Sequence, residues 1–287
     1  MKHTGPHEKT VSIVIPNWNG KQLLEKNVPY VIEAANGAQV IVADDASSDG
    51  SLEYIRREYP SVHVVSHTKQ TGFSGNINRG VSYATGDIVV LLNTDVRPEP
   101  DFLAYLIARF ADPAVAAVGC LEKSHENGKV ILRGRGVARW EKGFFIHSRG
   151  ETNREDTEWV SGGSSAFRKD VWDLVGGMDI RFNPFYWEDI DISYRIRKAG
   201  YKVLFEKRSI VHHYHEEGKI SNSFSKKAVK RIVYRNQFLF HWKHIPSLKI
   251  WIEHIFWTPV RVFQSCVSGD YAMLQGFILA VFRYFFV

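Results

Sequence analysis

The chain has 287 residues, 44 % hydrophobic and 24 % charged, with a formal net charge of +6. That is ordinary globular material for one large domain and an appendage, and it argues against disorder outside Met1 to Lys9. Two distant cysteines, Cys120 and Cys266, give neither a disulfide framework nor a metal spacing and point to a reducing compartment, and the polar start shows no signal-peptide pattern.

Val11 to Ile15 reads as a short buried strand ending in Pro16, Asn17, Trp18 and Asn19. Leu23, Leu24, Val31, Ile32 and Ala35 follow at helical spacing. Val40 to Ala43 is a second strand, running into Asp44, Asp45 and a cluster of turn formers, and Leu52, Ile55 and Tyr59 mark a second helix. Thr71 to Gly80 reads as a loop before a helical run to Ala84. Its glycines fit neither a Walker A loop nor a dinucleotide fingerprint, although a glycine opening a helix lets backbone approach a phosphate. Ile88 to Leu92 then runs straight into Asn93, Thr94 and Asp95. Alternating strands and helices predict a parallel sheet of βαβ units, whose ligands bind at the carboxyl strand ends. Asn93 and Asp95, two residues apart, share one side of the chain, and a carboxylate there can hold a divalent cation.

Farther along, Trp159 to Ser165 supplies small residues that would let a ligand approach. In Asn183 to Asp191 the spacing predicts a helix from Glu188, so Glu188, Asp189 and Asp191 crowd its first turn beside aromatics. The helix dipole stabilises acids there, but three within four residues exceed what capping requires, and one could serve as a general base. Val203 to Phe205 and Ile210 to Val211 read as strands, the second followed by His212, His213 and His215. The first two occupy opposite faces of an extended chain, so one could meet a metal at Asp95; spacing does not choose between them.

A boundary falls near Gly218. From Lys219 to Arg261 there are nine Lys or Arg against Glu253 alone, with Trp242, Trp251 and Trp257 interleaved, before the chain becomes strongly apolar. The longest uncharged run, Tyr271 to Phe282, is too short to cross a bilayer. These helices read either as elements lying on an anionic membrane surface or as a cap or oligomer contact. No nucleic-acid recognition signature accompanies the basic residues.

In this order, SIVIPNWNG, VADDASSDGS, TGFSGNINRGVSYATGD, LLNTD, Gly176 to Asp179, WEDIDISYRIRKAGY and the histidine after SIV resemble the family 2 glycosyltransferases of GT-A fold. The bacterial rhamnosyltransferase-like members are the nearest pattern, and the resemblance covers about residues 10 to 240. It implies an α/β fold, a mostly parallel central sheet flanked by helices with a C-terminal helical extension. Residues 1–9 would be flexible, 10–218 catalytic (a nucleotide-binding half to about 97, then an acceptor half), and 219–287 the extension. Position by position, it implies that Pro16, Asn17 and Asp45 contact base and ribose, with Asp44 and Asp49 orienting that loop. Gly75, Asn76 and Asn78 would lie near the diphosphate, with Ile77 where some members carry arginine. Asn93 replaces the first Asp of the DXD-like motif, and Asp95 would bind Mg2+ or Mn2+ with help from His213. Glu188 and Asp189 match the catalytic pair, Asp189 being the base, and Gly163, Trp187 and Asp191 are acceptor-side candidates. The implied activity is inverting, metal-dependent hexosyl transfer from a nucleotide-diphosphate sugar, dTDP-rhamnose or a UDP-sugar. The acceptor would be a saccharide or lipid-linked saccharide in cell-surface polysaccharide synthesis, handled in the cytoplasm or on the inner face of the membrane. Two competing readings are a transferase that loads polyprenyl phosphate and a catalytically silent nucleotide-sugar binding module. Asn93 speaks for the second; the retained Asp95, Glu188 and Asp189 speak against it.

Overall fold

The computed structural model describes residues 9–214 and 223–286. Its first half follows the hydrophobic pattern closely: β1 (Val11–Asn17), α1 (Lys21–Ala34), β2 (Gln39–Asp44), α2 (Ser51–Glu58), β3 (His63–Ser66), α3 (Gly72–Ser82) and β4 (Ile88–Leu92). All five residues of β4 are 0 % exposed, as a strand covered on both faces requires. Each such side chain contributes about 1.5–3 kcal/mol on burial. Side chains alternate between two cores. Ile13, Ile15, Val40, Val42, Val90 and Leu92 pack with α1 on one face. Val14, Ile41, Val89 and Leu91 pack with Ile77 and Val81 of α3 on the other.

The second half adds β5 (Val96–Pro98), α4 (Phe102–Ala108), β6 (Val115–Glu126), β7 (Lys129–Arg133), β8 (Gly136–Glu141), β9 (Phe144–Arg149), β10 (Ser164–Arg168), α5 (Lys169–Leu174), α6 (Glu188–Lys198) and β11 (Lys202–His213). The main sheet has the order β3-β2-β1-β4-β10-β6-β11-β5, with β7 paired to β6, and β8 and β9 form a separate hairpin. β1 to β4 are parallel, β10 runs antiparallel between β4 and β6, and β6 pairs parallel with β11. Three helices close the chain: α7 (Lys226–His244), α8 (Leu248–Val267) and α9 (Ala272–Phe286). The expected α/β architecture with a C-terminal helical extension is the one observed.

Three details differ from the sequence reading. The stretch Thr71 to Gly80 is helix rather than loop, because the Asp45 carboxylate caps its first N–H groups. The two strands before the histidines are one strand, β11, with a register irregularity between Glu206 and Ile210. Ser164 and Ser165, read as part of a small-residue approach to a ligand, begin β10. The boundary near Gly218 and His215 lie outside the described residues.

A third core is almost wholly aromatic. Phe144 and Phe145 of the hairpin, Phe182 and Trp187, and Phe238 and Phe240 of α7 interdigitate with Met273 of α9, so the extension is continuous with the body of the molecule. Among the described residues, no helix is long and apolar enough to cross a membrane.

Candidate active site

The chain winds outward from β1 through β2 and β3, then returns to β4 on the other side of β1. At such a reversal the loops beyond the carboxyl strand ends splay apart and leave a crevice. Asn17, Asp44 with Asp45, and Asn93 to Asp95 stand at those ends.

On the side of β1 to β3, most of the expected contact residues are held by the protein's own groups. Asn17 donates to Asp44 Oδ1 (2.7 Å) and accepts from the Gly20 N–H (3.2 Å), beside the half-buried Pro16. Asp45 accepts from the Thr71 N–H (2.6 Å), the Thr71 hydroxyl (2.8 Å) and the Gly72 N–H (2.9 Å), so its carboxylate seats α3. Gly75 is fixed by packing, since a Cβ there would lie 2.8 Å from Thr71 Cβ. Asn76 donates to the Ala43 carbonyl (2.8 Å), while its Oδ1 is buried without a partner. Asn78 lies about 200° round the helix from Asn76. It both donates to and accepts from the Met178 backbone (2.7 and 2.8 Å), so Asn78 clamps α3 to the segment after α5.

Beyond β4 the polar groups converge. Asp95 is 8 % exposed, and its Oδ1 lies 3.3 Å from Nε2 of His213, which enters from β11 where that strand pairs with β5. The other imidazole nitrogen, Nδ1, lies 3.4 Å from Glu122 Oε2 on β6. Burial alone would lower the His213 pKa, but the two carboxylates outweigh it and push it up to about 10. His212 points to the opposite face, against Glu99 and His125, so strand alternation selects His213. Among the described residues no three His, Cys, Asp or Glu form a ready-made metal cluster. Asp95 and His213 nevertheless fit a hard divalent cation that completes its shell with ligand oxygens and water. Glu122 against the far nitrogen is the kind of outer partner that fixes a ligating imidazole.

The third contribution is the start of α6. Tyr186 and Trp187 adopt positive φ (70° and 77°), which turns the chain sharply into the helix. Glu188 is 5 % exposed with Oε2 buried and unpartnered. Burial and the neighbouring Asp189 raise its pKa well above the usual carboxyl range. Burial likewise raises Asp189, to about 6, against hydrogen bonds from the Ile190 and Gly162 N–H groups. Two positive φ values and an unpaired buried carboxyl oxygen are the kind of cost retained at working sites.

Asp95 and the Glu188–Asp189 pair lie within electrostatic reach of one side chain. The Tyr186 phenol, whose pKa is raised first by burial, also feels Glu188, Asp189 and Asp95. Glu122, which grips His213, bears on Asp189 too. The segment Ser161 to Ser164 stitches these parts together. Gly162 donates to Asp189, the Gly163 carbonyl accepts from the Asn93 N–H (2.9 Å), and Ser164 hydrogen-bonds Glu122. A Cβ at Gly163 would collide with the Asn93 amide, whose Oδ1 is buried and unpartnered, so a larger residue would displace Asn93.

Two acceptor-side candidates are corrected. Asp191 is 0 % exposed and bound to Arg195 (2.7 Å), Lys243 (2.8 Å) and His244 (2.7 Å), so it fastens α7 to α6 rather than facing a ligand. Trp187 is 3 % exposed with its ring against His147 and Phe240 (4.9 and 5.1 Å), inside the aromatic core. Tyr186, 41 % exposed, is the aromatic left open at that point. Glu122 was missed altogether, although an acid closing the apolar run of β6 is the same signal that singled out Asp95. Asn236 of α7 was missed as well: its amide donates to the Phe182, Phe185 and Tyr186 carbonyls (2.6, 3.0 and 2.8 Å), holding the loop that delivers Asp189.

The strand reversal with a carboxylate after β4, the antiparallel β10, and the acidic start of α6 across the cleft define a GT-A architecture. Residues 12–175 match the family described as Glycosyl transferase family 2, over half of the chain, and the protein belongs to that family. Among similar proteins is the pre-mycofactocin glycosyltransferase of Mycobacterium tuberculosis, 27 % identical over 222 residues, covering 74 % of this chain and 44 % of that protein. Another is the N-acetylglucosaminyl-diphospho-decaprenol L-rhamnosyltransferase of the same species, 25 % identical over 204 residues, 61 % of this chain and 66 % of that protein. The chain thus spans less than two thirds of either relative's length. A solved mannosyltransferase from Pyrobaculum calidifontis, in complex with GDP-Man and Mn2+, shares the fold with a TM-score of 0.60 at 18 % identity, over 98 % of this chain and 77 % of that one.

Proposed function

We propose that the protein is an inverting, metal-dependent glycosyltransferase that moves a hexosyl group from a nucleotide-diphosphate sugar to a hydroxyl of a saccharide or lipid-linked saccharide. The observation that supports this reading is that Asp95 with His213, and Glu188 with Asp189, both lie within electrostatic reach of Tyr186 beyond the strand ends. The relative that makes a rhamnosyl-bearing decaprenol diphosphate supports dTDP-rhamnose or a UDP-sugar as donor and a lipid-linked acceptor. That chemistry suits cell-surface polysaccharide assembly at the inner face of the cell membrane.

The residue roles follow from position and charge. The ends of β1 and β2 with Pro16, Asn17 and Asp45 frame the base and ribose, and Gly75, Asn76 and Asn93 border the diphosphate. Asp95 and His213 hold the cation, Glu122 orienting His213. A bound Mg2+ or Mn2+ supplies positive charge for the negative charge that develops on the departing diphosphate. The solved relative with GDP-Man and Mn2+ supports that expectation. Asp189 takes the proton from the acceptor hydroxyl as it attacks the anomeric carbon opposite the leaving group, which inverts the configuration. Burial suits it to this work by bringing its pKa to about 6, closer to neutrality than an exposed carboxyl. Burial and the adjacent Asp189 disfavour the charged form of Glu188, which lessens the like charge beside the base. Gly163 shapes the floor beside Asn93, and the exposed Tyr186 offers a face on which an acceptor ring can stack.

The test is product analysis. With Mn2+, the protein is incubated with dTDP-rhamnose and a panel of UDP-sugars and a lipid-linked saccharide. Nuclear magnetic resonance of the isolated product should show an inverted anomeric centre. Retention of configuration, or undiminished transfer after chelation, would overturn the proposal.

A further inference from the structure

α8 leaves one whole face bare. Leu248, Trp251, Ile252, Ile255 and Phe256, with Phe263 two turns farther on, lie along one side of the helix and are 75, 42, 60, 64, 62 and 69 % exposed. They form a continuous apolar row about 22 Å long. The helix cannot roll to hide it, because its other face is pinned: His254 hydrogen-bonds the Gly143 carbonyl (2.8 Å) and accepts from Trp242 Nε1 (3.1 Å). α9 repeats the pattern with Ile278 and Phe285 exposed by 57 and 70 %. It too is fixed, since Gly276 lies so close to Tyr234 of α7 that a Cβ would stand 2.6 Å away. Contiguous apolar surface on this scale marks an interaction site.

Charge decides the occupant. From Lys226 to Arg283 there are nine Lys or Arg against two acids, Glu253 and Asp270, so this extension carries +7 in a chain whose total is +6. Both acids are engaged locally, Asp270 with Lys230 and Glu253 with the Gly143 N–H (3.2 Å). Lys226, Lys227 and Arg231 are exposed at the start of α7, and Lys249 borders the bare face of α8. A second copy of the chain would bring two such surfaces of like charge together, which electrostatics opposes. An anionic lipid surface satisfies the cations and the apolar row at once, and Trp251 has the amphipathic ring favoured at the headgroup level.

We infer that α8 and α9, rimmed by the α7 cations, form a monotopic docking surface for an anionic phospholipid bilayer. The helices lie in the interface and do not span it. Asn236 links α7 to the loop leading into Asp189, so the docked element is also the one that positions this side of the cleft. The inference does not depend on the reaction proposed above.

The test is flotation of the full chain with phosphatidylcholine vesicles and with vesicles of equal parts phosphatidylcholine and phosphatidylglycerol. The anionic vesicles should carry the protein, with at least thirtyfold weaker partition onto the neutral ones. Ile252→Glu with Ile255→Glu should abolish flotation while leaving the melting temperature unchanged, because both side chains face outward. Lys226→Gln with Lys227→Gln should weaken partition about thirtyfold. The inference fails if anionic vesicles do not carry the chain or if the Ile252→Glu, Ile255→Glu protein still floats. It also fails if light scattering shows a dimer that the same pair of substitutions dissociates while vesicles capture nothing.

Discussion

Asp189 is the residue on which burial and chemistry meet. Asp189→Asn should cut transfer by roughly 100-fold to 10,000-fold while calorimetric titration shows nucleotide binding unchanged. Asp95→Ala should weaken both, and equal binding losses in the two variants would refute the separate roles. As the proposed base Asp189 works ionised, and with its pKa raised to about 6, kcat/KM should fall about tenfold per pH unit below that point. An acid limb centred near 4 would mean burial does not act on it. The same raised pKa has a stability consequence of opposite sense. Protonated Asp189 is the form the fold prefers, so its stabilising contribution is present below the unfolded value near 3.8 and is lost as pH rises through about 6. Asp189→Asn should therefore melt above the parent protein at neutral pH, with the gap closing towards pH 4. The crowding of acids at a helix start was legible; that burial raises the pKa values of Glu188 and Asp189 was not, because desolvation is a property of what packs over the loop.

At the scale of elements, α7 is the component that the chemistry-bearing loop leans on. Asn236→Ala leaves the buried Phe182 and Phe185 carbonyls and the partly buried Tyr186 carbonyl without this donor and should cost about 3 kcal/mol in denaturant unfolding. If the loop positions Asp189, kcat should fall further than donor affinity does; equal falls would mean general loosening only. Asp191→Ala strands Arg195, Lys243 and His244 and should destabilise by about 3 kcal/mol, the low end for a buried ion cluster because the first two are partly exposed. The Asp191 pKa is lowered, burial being outweighed by His244 and then by Arg195 and Lys243. Its contribution is thus present above the unfolded value and lost as pH falls through the lower folded one. Thermal melts from pH 7 down to pH 3 would show the parent losing this increment and the variant not. The start of α6 was readable from spacing. The early start of α3 was not, because the carboxylate that caps it comes from a different strand, 26 residues upstream.

For the whole molecule, donor and cation should act as one ligand. The correct nucleotide sugar with Mn2+ should raise the melting temperature more than either alone, as mass action on the folded state requires, and chelation should remove the increment. Equal shifts with and without Mn2+ would count against Asp95 and His213 as its ligands. The sequence by itself determined the βαβ order, the polar strand ends and the aromatic, basic character of the extension, because local periodicity and turn chemistry act over a few residues. Only the tertiary structure decided which acids meet. It brought Glu122 to His213, spent Asp191 on α7 and buried Trp187 in the aromatic core, because burial and pairing depend on strands and helices that lie far apart along the chain.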